Sequence, residues 1–326
     1  YYKDTGMIKR ALKSKVLLIV VLIVLALIAS YLYAINSKPE LDDEARQTAP
    51  GSFIQLSRGM VHYEIAGPES AKTVVLIHGL ATPYFIWDNN YDTLVRAGFR
   101  VLRYDHYGRG FSDRPDLVYD RDLYEQQLFE LLQKLDVKRP MHLVGLSMGG
   151  AVATIFTDRH PEFVYKLALI APAGYPIEEP LAVKLATLPI LGDYLMAVVG
   201  DRVILEGVKD AFVYPEKLSA FEEKFKVSLQ YAGFHRAGLS TLRHMDMNKL
   251  GGTYRRVGQQ QKTVVRLWGN RDKGLPCANC GTGAVAWVRR PVSQVQTASE
   301  YRACSERRKR RRSLPARNRG TGNRNR

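Results

Sequence analysis

The run Gly145-Leu146-Ser147-Met148-Gly149-Gly150 has the spacing of a serine held on a sharp corner between a strand and a helix. A serine hydroxyl is a weak nucleophile until a neighbouring base takes its proton, and such a corner presents it to base and substrate together. Side chains at positions 145 and 149 would collide across so tight a turn, which accounts for the two glycines. Two backbone donors are expected to face a developing oxyanion: the N–H of Met148, directly after the serine, and that of Leu80, after His78-Gly79. The chemistry this allows is acyl transfer. G-x-S-x-G alone is weak, because a glycine-rich turn joining a strand to a helix has the same pattern, so the surrounding elements must support it. Ser112 is not a second candidate, since Gly110-Phe111-Ser112-Asp113-Arg114 lacks the closing glycine.

Those elements are legible. Residues 53–57 and 60–66 suggest a starting hairpin. Residues 74–77, 100–104, 141–144 and 167–170 are short β-prone runs that end in loops. Helical stretches are expected near 86–97, 123–135 and 148–159. Strands alternating with helices imply a mostly parallel sheet covered on both faces, with chemistry at the carboxyl ends of its strands. His78-Gly79-Leu80, the loop beginning Asp105-His106 and the Ser147 corner each follow such a strand. The Asp105 loop is expected to shape the sheet's edge and not to react.

The features HGL (78–80), DHYGRGFSDRP (105–115), GLSMGG (145–150), LALIAPAG (167–174) and LWGNRD (267–272) resemble, in order and spacing, the α/β-hydrolase superfamily over roughly residues 53–273. The resemblance implies an α/β-hydrolase fold: a mostly parallel sheet flanked by helices, with an inserted helical cap. The core would occupy 53–174, the cap 175–258 and the end of the core 259–274. It places the acid of the catalytic triad at Asp272, after a seventh strand at 263–267. Serine at the corner argues against the branches that use aspartate there. The apolar stretch from Leu181 to Val199 suits an acyl chain and equally suits the cap's own interior.

The family's base is a histidine after the eighth strand, and this chain has no histidine beyond His244. His78 goes with the oxyanion loop, His62 and His142 with early strands, His106 with the fourth-strand loop and His160 with the end of the corner helix. His235 and His244 fall in the cap, and only His244 could be considered as a substitute. A base must come within hydrogen-bond reach of Ser147.

Residues 277–326 carry thirteen of the chain's 48 basic residues against two of its 32 acidic ones, so +11 of the net +16 resides there. All three cysteines, Cys277, Cys280 and Cys304, lie in this tail. One C-x-x-C with a distant third cysteine is a poor zinc site, so no metal and no cofactor is expected. The run 307–312 could bind nucleic acid or anionic lipid, but the membrane topology below argues against nucleic acid as a partner. A reading-frame change near Lys273 accounts together for the arginines, the cysteines and the missing histidine. On that reading 275–326 is disordered or out of frame, and the seventh strand becomes an exposed edge.

Residues 16–35 contain no charge, and as a helix they span about 30 Å, the thickness of a bilayer's hydrocarbon core. Lys9, Arg10, Lys13 and Lys15 precede them. The expectation is an uncleaved single-pass anchor (16–36), with a cytoplasmic N-terminus and the main domain on the far side, joined by a linker at 37–52. An apolar fraction of 46% excludes wholesale disorder. The expected function is a serine hydrolase cleaving a small carboxylic ester, with lipids among the candidate substrates, through an acyl-enzyme and impaired by the missing histidine. The alternatives are a C–C bond hydrolase or aminopeptidase of the same fold, a non-catalytic binding protein on that fold, and an interaction protein working through its arginine-rich tail.

Overall fold

The computed structural model describes residues 4–176, 179–211, 218–269 and 285–288. The first element is α1 (Asp4–Asn36), uncharged on every side over residues 16–35, whose stretch Leu12–Asn36 is long and apolar enough to cross a membrane. A single turn, α2 (Asp43–Gln47), is capped by the Asp42 carboxylate, which accepts the Ala45 N–H at 2.8 Å.

Eight strands then form one sheet: β1 (Ser52–Leu56), β2 (Gly59–Ala66), β3 (Thr73–Ile77), β4 (Arg100–Tyr104), β5 (Met141–Leu146), β6 (Val164–Ile170), β7 (Thr263–Gly269) and β8 (Val285–Val288). Their order is β1-β2-β4-β3-β5-β6-β7-β8. The β1–β2 hairpin joins β4 in antiparallel fashion, and every later pairing is parallel. The apolar strands, Thr73–Ile77 above all, are buried on both faces, as parallel strands require.

The larger core lies between the sheet and α4 (Arg121–Lys134), α5 (Met148–Arg159) and α10 (Gly251–Gln259), with Leu128, Val152, Phe156 and Val257 inside it. On the other face α3 (Asp88–Arg96) brings Tyr91 beside Trp87, Val74 and Val101. Between β6 and α10 sit α6 (Leu181–Thr187), α7 (Leu191–Ala211), α8 (Leu218–Gln230) and α9 (Phe234–His244).

Two expectations need correction. The tail after Lys273 was expected to stand outside the fold, yet Val285–Val288 pairs with β7 in parallel, Trp268 opposite Trp287, so β7 is not an edge. A four-residue run of valine, alanine and tryptophan is β-prone in itself, and the arginine-rich composition around it masked that signal. Residues 251–258 were assigned to the cap, but α10 packs on α5 and places Val257 in the principal core. The helices of the insertion are those from 181 to 244.

Register explains how distant residues meet. Ile77 lies opposite both Tyr104 and Gly145, Leu146 opposite Ile170, and Ile170 opposite Leu267. The carboxyl ends of β3 to β7 therefore form one row. The segments after Ile77, Tyr104, Leu146 and Ile170 leave the sheet side by side.

Candidate active site

Ser147 sits between the last residue of β5 and the first of α5 with φ 52° and ψ −118°, in a region a non-glycine residue seldom occupies. Holding it there costs on the order of 1–3 kcal/mol, so neighbouring bonds must fix the corner. They do so from both sides. The Ser147 N–H donates to the Ile170 carbonyl at 2.9 Å, and the Ser147 carbonyl accepts from Gly150 (2.9 Å) and Ala173 (3.0 Å). A Cβ on Gly149 would strike the carbonyl oxygens of Ile77 and His78, and one on Gly145 would strike the backbone of Gly149. Both glycines are needed for close approach, and that approach lays α5 directly over β3.

The second loop passes beside the serine. A Cβ built on Gly79 would lie 3.4 Å from the Ser147 Cβ and 3.9 Å from its Oγ. His78 Nδ1 bonds the Gly79 carbonyl at 2.8 Å, while its Nε2 accepts the His106 N–H at 2.9 Å. With Nε2 accepting, the proton must be on Nδ1, and the ring is neutral. Burial and the neighbouring His106 hold the His78 pKa well below its ordinary value. A trans peptide points its C=O and N–H in opposite directions, so the bond to the Gly79 carbonyl turns the Leu80 N–H away from the His78 ring. The guanidinium of Arg109, 1% exposed, donates through Nε to the Leu80 carbonyl and through Nη1 to Gly108. Two consecutive peptides of the loop are thus pinned from behind. Met148 opens α5, where the first N–H groups of a helix have no intrahelical acceptor and the helix dipole is positive.

Asp105 braces the neighbouring loop. Its carboxylate accepts from the Tyr84 N–H (2.8 Å), the Phe111 N–H (3.1 Å) and His62 Nδ1 (2.7 Å). Ser112 is fully buried, accepting from the His62 N–H and donating to the Asp105 carbonyl.

Asp272 lies outside the described residues. β7, which leads to it, ends at Gly269, and the Ala171 N–H ties the segment after β6 to the Leu267 carbonyl at 2.8 Å.

Among the described residues no side chain hydrogen-bonds to Ser147 Oγ, and the histidines have other partners. His62 holds Asp105, His160 Nε2 reaches Glu125 at 2.7 Å, and His235 Nε2 lies 2.9 Å from Asp201. His142 sits on β5 between Phe99 and Tyr165, and His244 is exposed at the end of α9. A cavity of about 800 Å³ opens between Pro50, Tyr84, Asp105, Phe111 and Tyr231, and Ser147 does not line it. The contributions of Arg109 and His106 were not anticipated from sequence. The adjacency of β3 and β4 is what brings them behind the Leu80 loop.

Residues 68–223 match the family described as serine aminopeptidase, S33. The chain has an α/β-hydrolase fold. The chain is 32% identical over 149 residues to an uncharacterized protein of Mycobacterium tuberculosis, a match covering 46% of the chain but only 42% of that relative. It is 28% identical over 226 residues to the 2-hydroxy-6-oxononadienedioate/2-hydroxy-6-oxononatrienedioate hydrolase 1 of Pseudomonas putida, covering 66% of this chain and 76% of that one. Among solved structures, the enol-lactonase from Burkholderia xenovorans LB400 superposes with a TM-score of 0.59 at 21% identity, covering 70% of this chain and 85% of the other. At that identity the likeness is one of fold.

Proposed function

We propose that this chain is a membrane-anchored serine hydrolase that cleaves carboxylic esters through an acyl-enzyme, with its activity limited by the lack of a histidine base. Ser147 Oγ attacks the ester carbonyl, the N–H groups of Leu80 and Met148 receive the oxyanion, and Asp272 is the acid that would orient a base. Where a base is supplied, it takes the Ser147 proton and passes it to the departing alcohol, and water, deprotonated by the same base, then releases the acid and restores the serine. The helix α1 anchors the chain, with the basic residues before it on the cytoplasmic side and the catalytic domain across the membrane.

The single observation carrying this reading is the strained Ser147 corner, with the Gly79-Leu80 loop running past its side chain. Strain of this kind persists only where surrounding bonds enforce it, and it concentrates at functional positions. Without a base, catalysis should fall to the roughly 10³–10⁴-fold over water that oxyanion donors and binding supply.

Added imidazole tests the proposal, because a small diffusible base can take the place of an absent one. Hydrolysis of short p-nitrophenyl esters by the full chain should rise with imidazole beyond the rise in buffer alone, and Ser147→Ala should abolish the excess. If the two chains respond equally, Ser147 is not a nucleophile. A second reading, a non-catalytic binding protein on this fold, is favoured by the absence of any described histidine at Ser147 Oγ, and that outcome would select it. The relative from Pseudomonas putida carries a different hydrolase name, so vinylogous 1,5-diketone substrates belong in the same assay to separate ester from C–C cleavage.

A further inference from the structure

The helices inserted over the sheet are bound to the end of the apolar helix. Of the twenty uncharged residues 16–35, only Ser30, Tyr31 and Ala34 are partly covered, and their cover comes from α7. Ser30 Oγ lies 3.1 Å from the Tyr194 hydroxyl, and the Tyr31 and Tyr194 rings stack with centroids 6.4 Å apart. Just beyond, Lys38 Nζ bonds the Asp201 carboxylate at 2.8 Å and the Leu229 carbonyl at 2.7 Å, and the Ala232 N–H reaches the Pro39 carbonyl at 2.9 Å.

Those contacts set a depth. Ser30 is five residues short of Ile35, or roughly 7 Å along the helix. If residues 16–35 fill the hydrocarbon core, Tyr194 cannot stand clear of the membrane surface. The cap at that level is apolar on its outside. Leu188, Ile190 and Leu191, in the turn between α6 and α7, are 47%, 85% and 44% exposed, and Leu181 on α6 is 70% exposed.

The turn is built to hold that shape. Ile190, a β-branched residue, is kept at φ 65°, with its N–H on the Asp193 carboxylate at 3.0 Å. Arg243 clamps it from inside, bonding Asp193 (2.9 and 3.0 Å) and the carbonyls of Thr187 and Leu188. A strained backbone that thrusts its largest apolar side chain outward gains nothing from the protein's own packing. Tyr31, Tyr33 and Tyr194 mark the same level, where amphipathic rings favour the boundary between headgroups and hydrocarbon.

We propose that the α6–α7 turn, with Ile190 at its tip, is inserted into the leaflet that α1 enters at its C-terminal end, so that the cap is a membrane-docking element as well as a cover. The exposed Ile190 and Leu191 lie within one turn of Tyr194, which touches α1, so a bilayer that surrounds α1 is the occupant they meet. The proposal rests on α1 spanning a membrane.

Fluorescence quenching by doxyl-labelled phosphatidylcholine tests it in the full chain, reconstituted into phosphatidylcholine vesicles with Cys277, Cys280 and Cys304 changed to serine. One nitrobenzoxadiazole label is placed in turn at Ile190→Cys, Leu181→Cys, Val24→Cys within α1, and Lys138→Cys at the opposite end of the sheet. Shallow doxyl lipid should quench the label at 190 and at 181 at least twofold more than the label at 138. Strong quenching at 24 with 190 and 181 no different from 138 would overturn the docking proposal and leave the anchor standing. Absence of quenching at 24 would remove the anchor and the proposal with it.

Discussion

His106 donates its backbone N–H to Nε2 of His78 at 2.9 Å, and that bond ties the protonation of one ring to the position of a neighbouring loop. An imidazole that accepts at Nε2 and donates at Nδ1 cannot gain a proton without losing the acceptor. His106 offers Nε2 to the His78 carbonyl at 3.2 Å, and its Nδ1 is buried without a partner, which burial reinforces by lowering its pKa to about 3. Both rings are neutral in the fold.

A pH dependence of stability follows. An unfolded histidine titrates near 6.5, whereas both folded pKa values lie lower, so below about pH 6.5 the unfolded chain binds protons that the folded chain refuses. Stability is therefore lost as pH falls from 7 to 5, by roughly 2 kcal/mol for His106, with a further loss in the same direction from His78. His106→Phe removes one titrating site and should shrink that loss by about the same amount, read from denaturant melts in detergent at the two pH values. An unchanged pH dependence would mean that His106 is not held neutral.

The closeness of α5 to β3 predicts opposite outcomes for two glycine substitutions. Gly149→Ala places a methyl against the Ile77 and His78 carbonyls, where neither backbone can yield without moving the sheet. Overpacking of this kind costs roughly 1–3 kcal/mol. Gly258→Ala, at an exposed position of α10 with nothing within 4 Å of the new methyl, should instead stabilise by about 0.5–1 kcal/mol. Thermal melts of the two variants should move in opposite directions. A shared direction would refute this packing of α5 on β3.

What was legible in the sequence is what depends on local pattern. Apolar runs ending in loops located β3 to β7, and the glycines around Ser147 located the corner, because tight backbone approach leaves only glycine. What was not legible depends on partners distant in the chain. Nothing local to His106 says that its N–H meets His78, and nothing local to Lys38 says that it meets Asp201, 163 residues away. β8 was missed for a different reason: two valines and a tryptophan were averaged into a basic, cysteine-containing tail. Asp272 follows a strand that is present where expected, but the residue itself lies outside the described segments.

The last prediction concerns the joint between α1 and the cap. Lys38 Nζ serves two acceptors, the Asp201 carboxylate and the Leu229 carbonyl, and so links the segment just after α1 to both α7 and the end of α8. The pair is partly exposed, at 21% and 44%, which limits the ion-pair contribution to a surface value. Burial raises the Asp201 pKa, but the bonds from His235 and Lys38 outweigh it and leave the carboxyl below its ordinary value. Lys38→Ala removes the link to Leu229 altogether, while His235 still faces Asp201. The loss should therefore be local: amide hydrogen exchange in the last turn of α8 and the first of α9 should quicken by roughly tenfold, about 1.4 kcal/mol of easier opening, with α4 and α5 unchanged. Exchange that quickens equally throughout would show that Lys38 supports the whole fold. Exchange that does not change would show that the aromatic contact of Tyr31 with Tyr194 holds α7 to α1 without it.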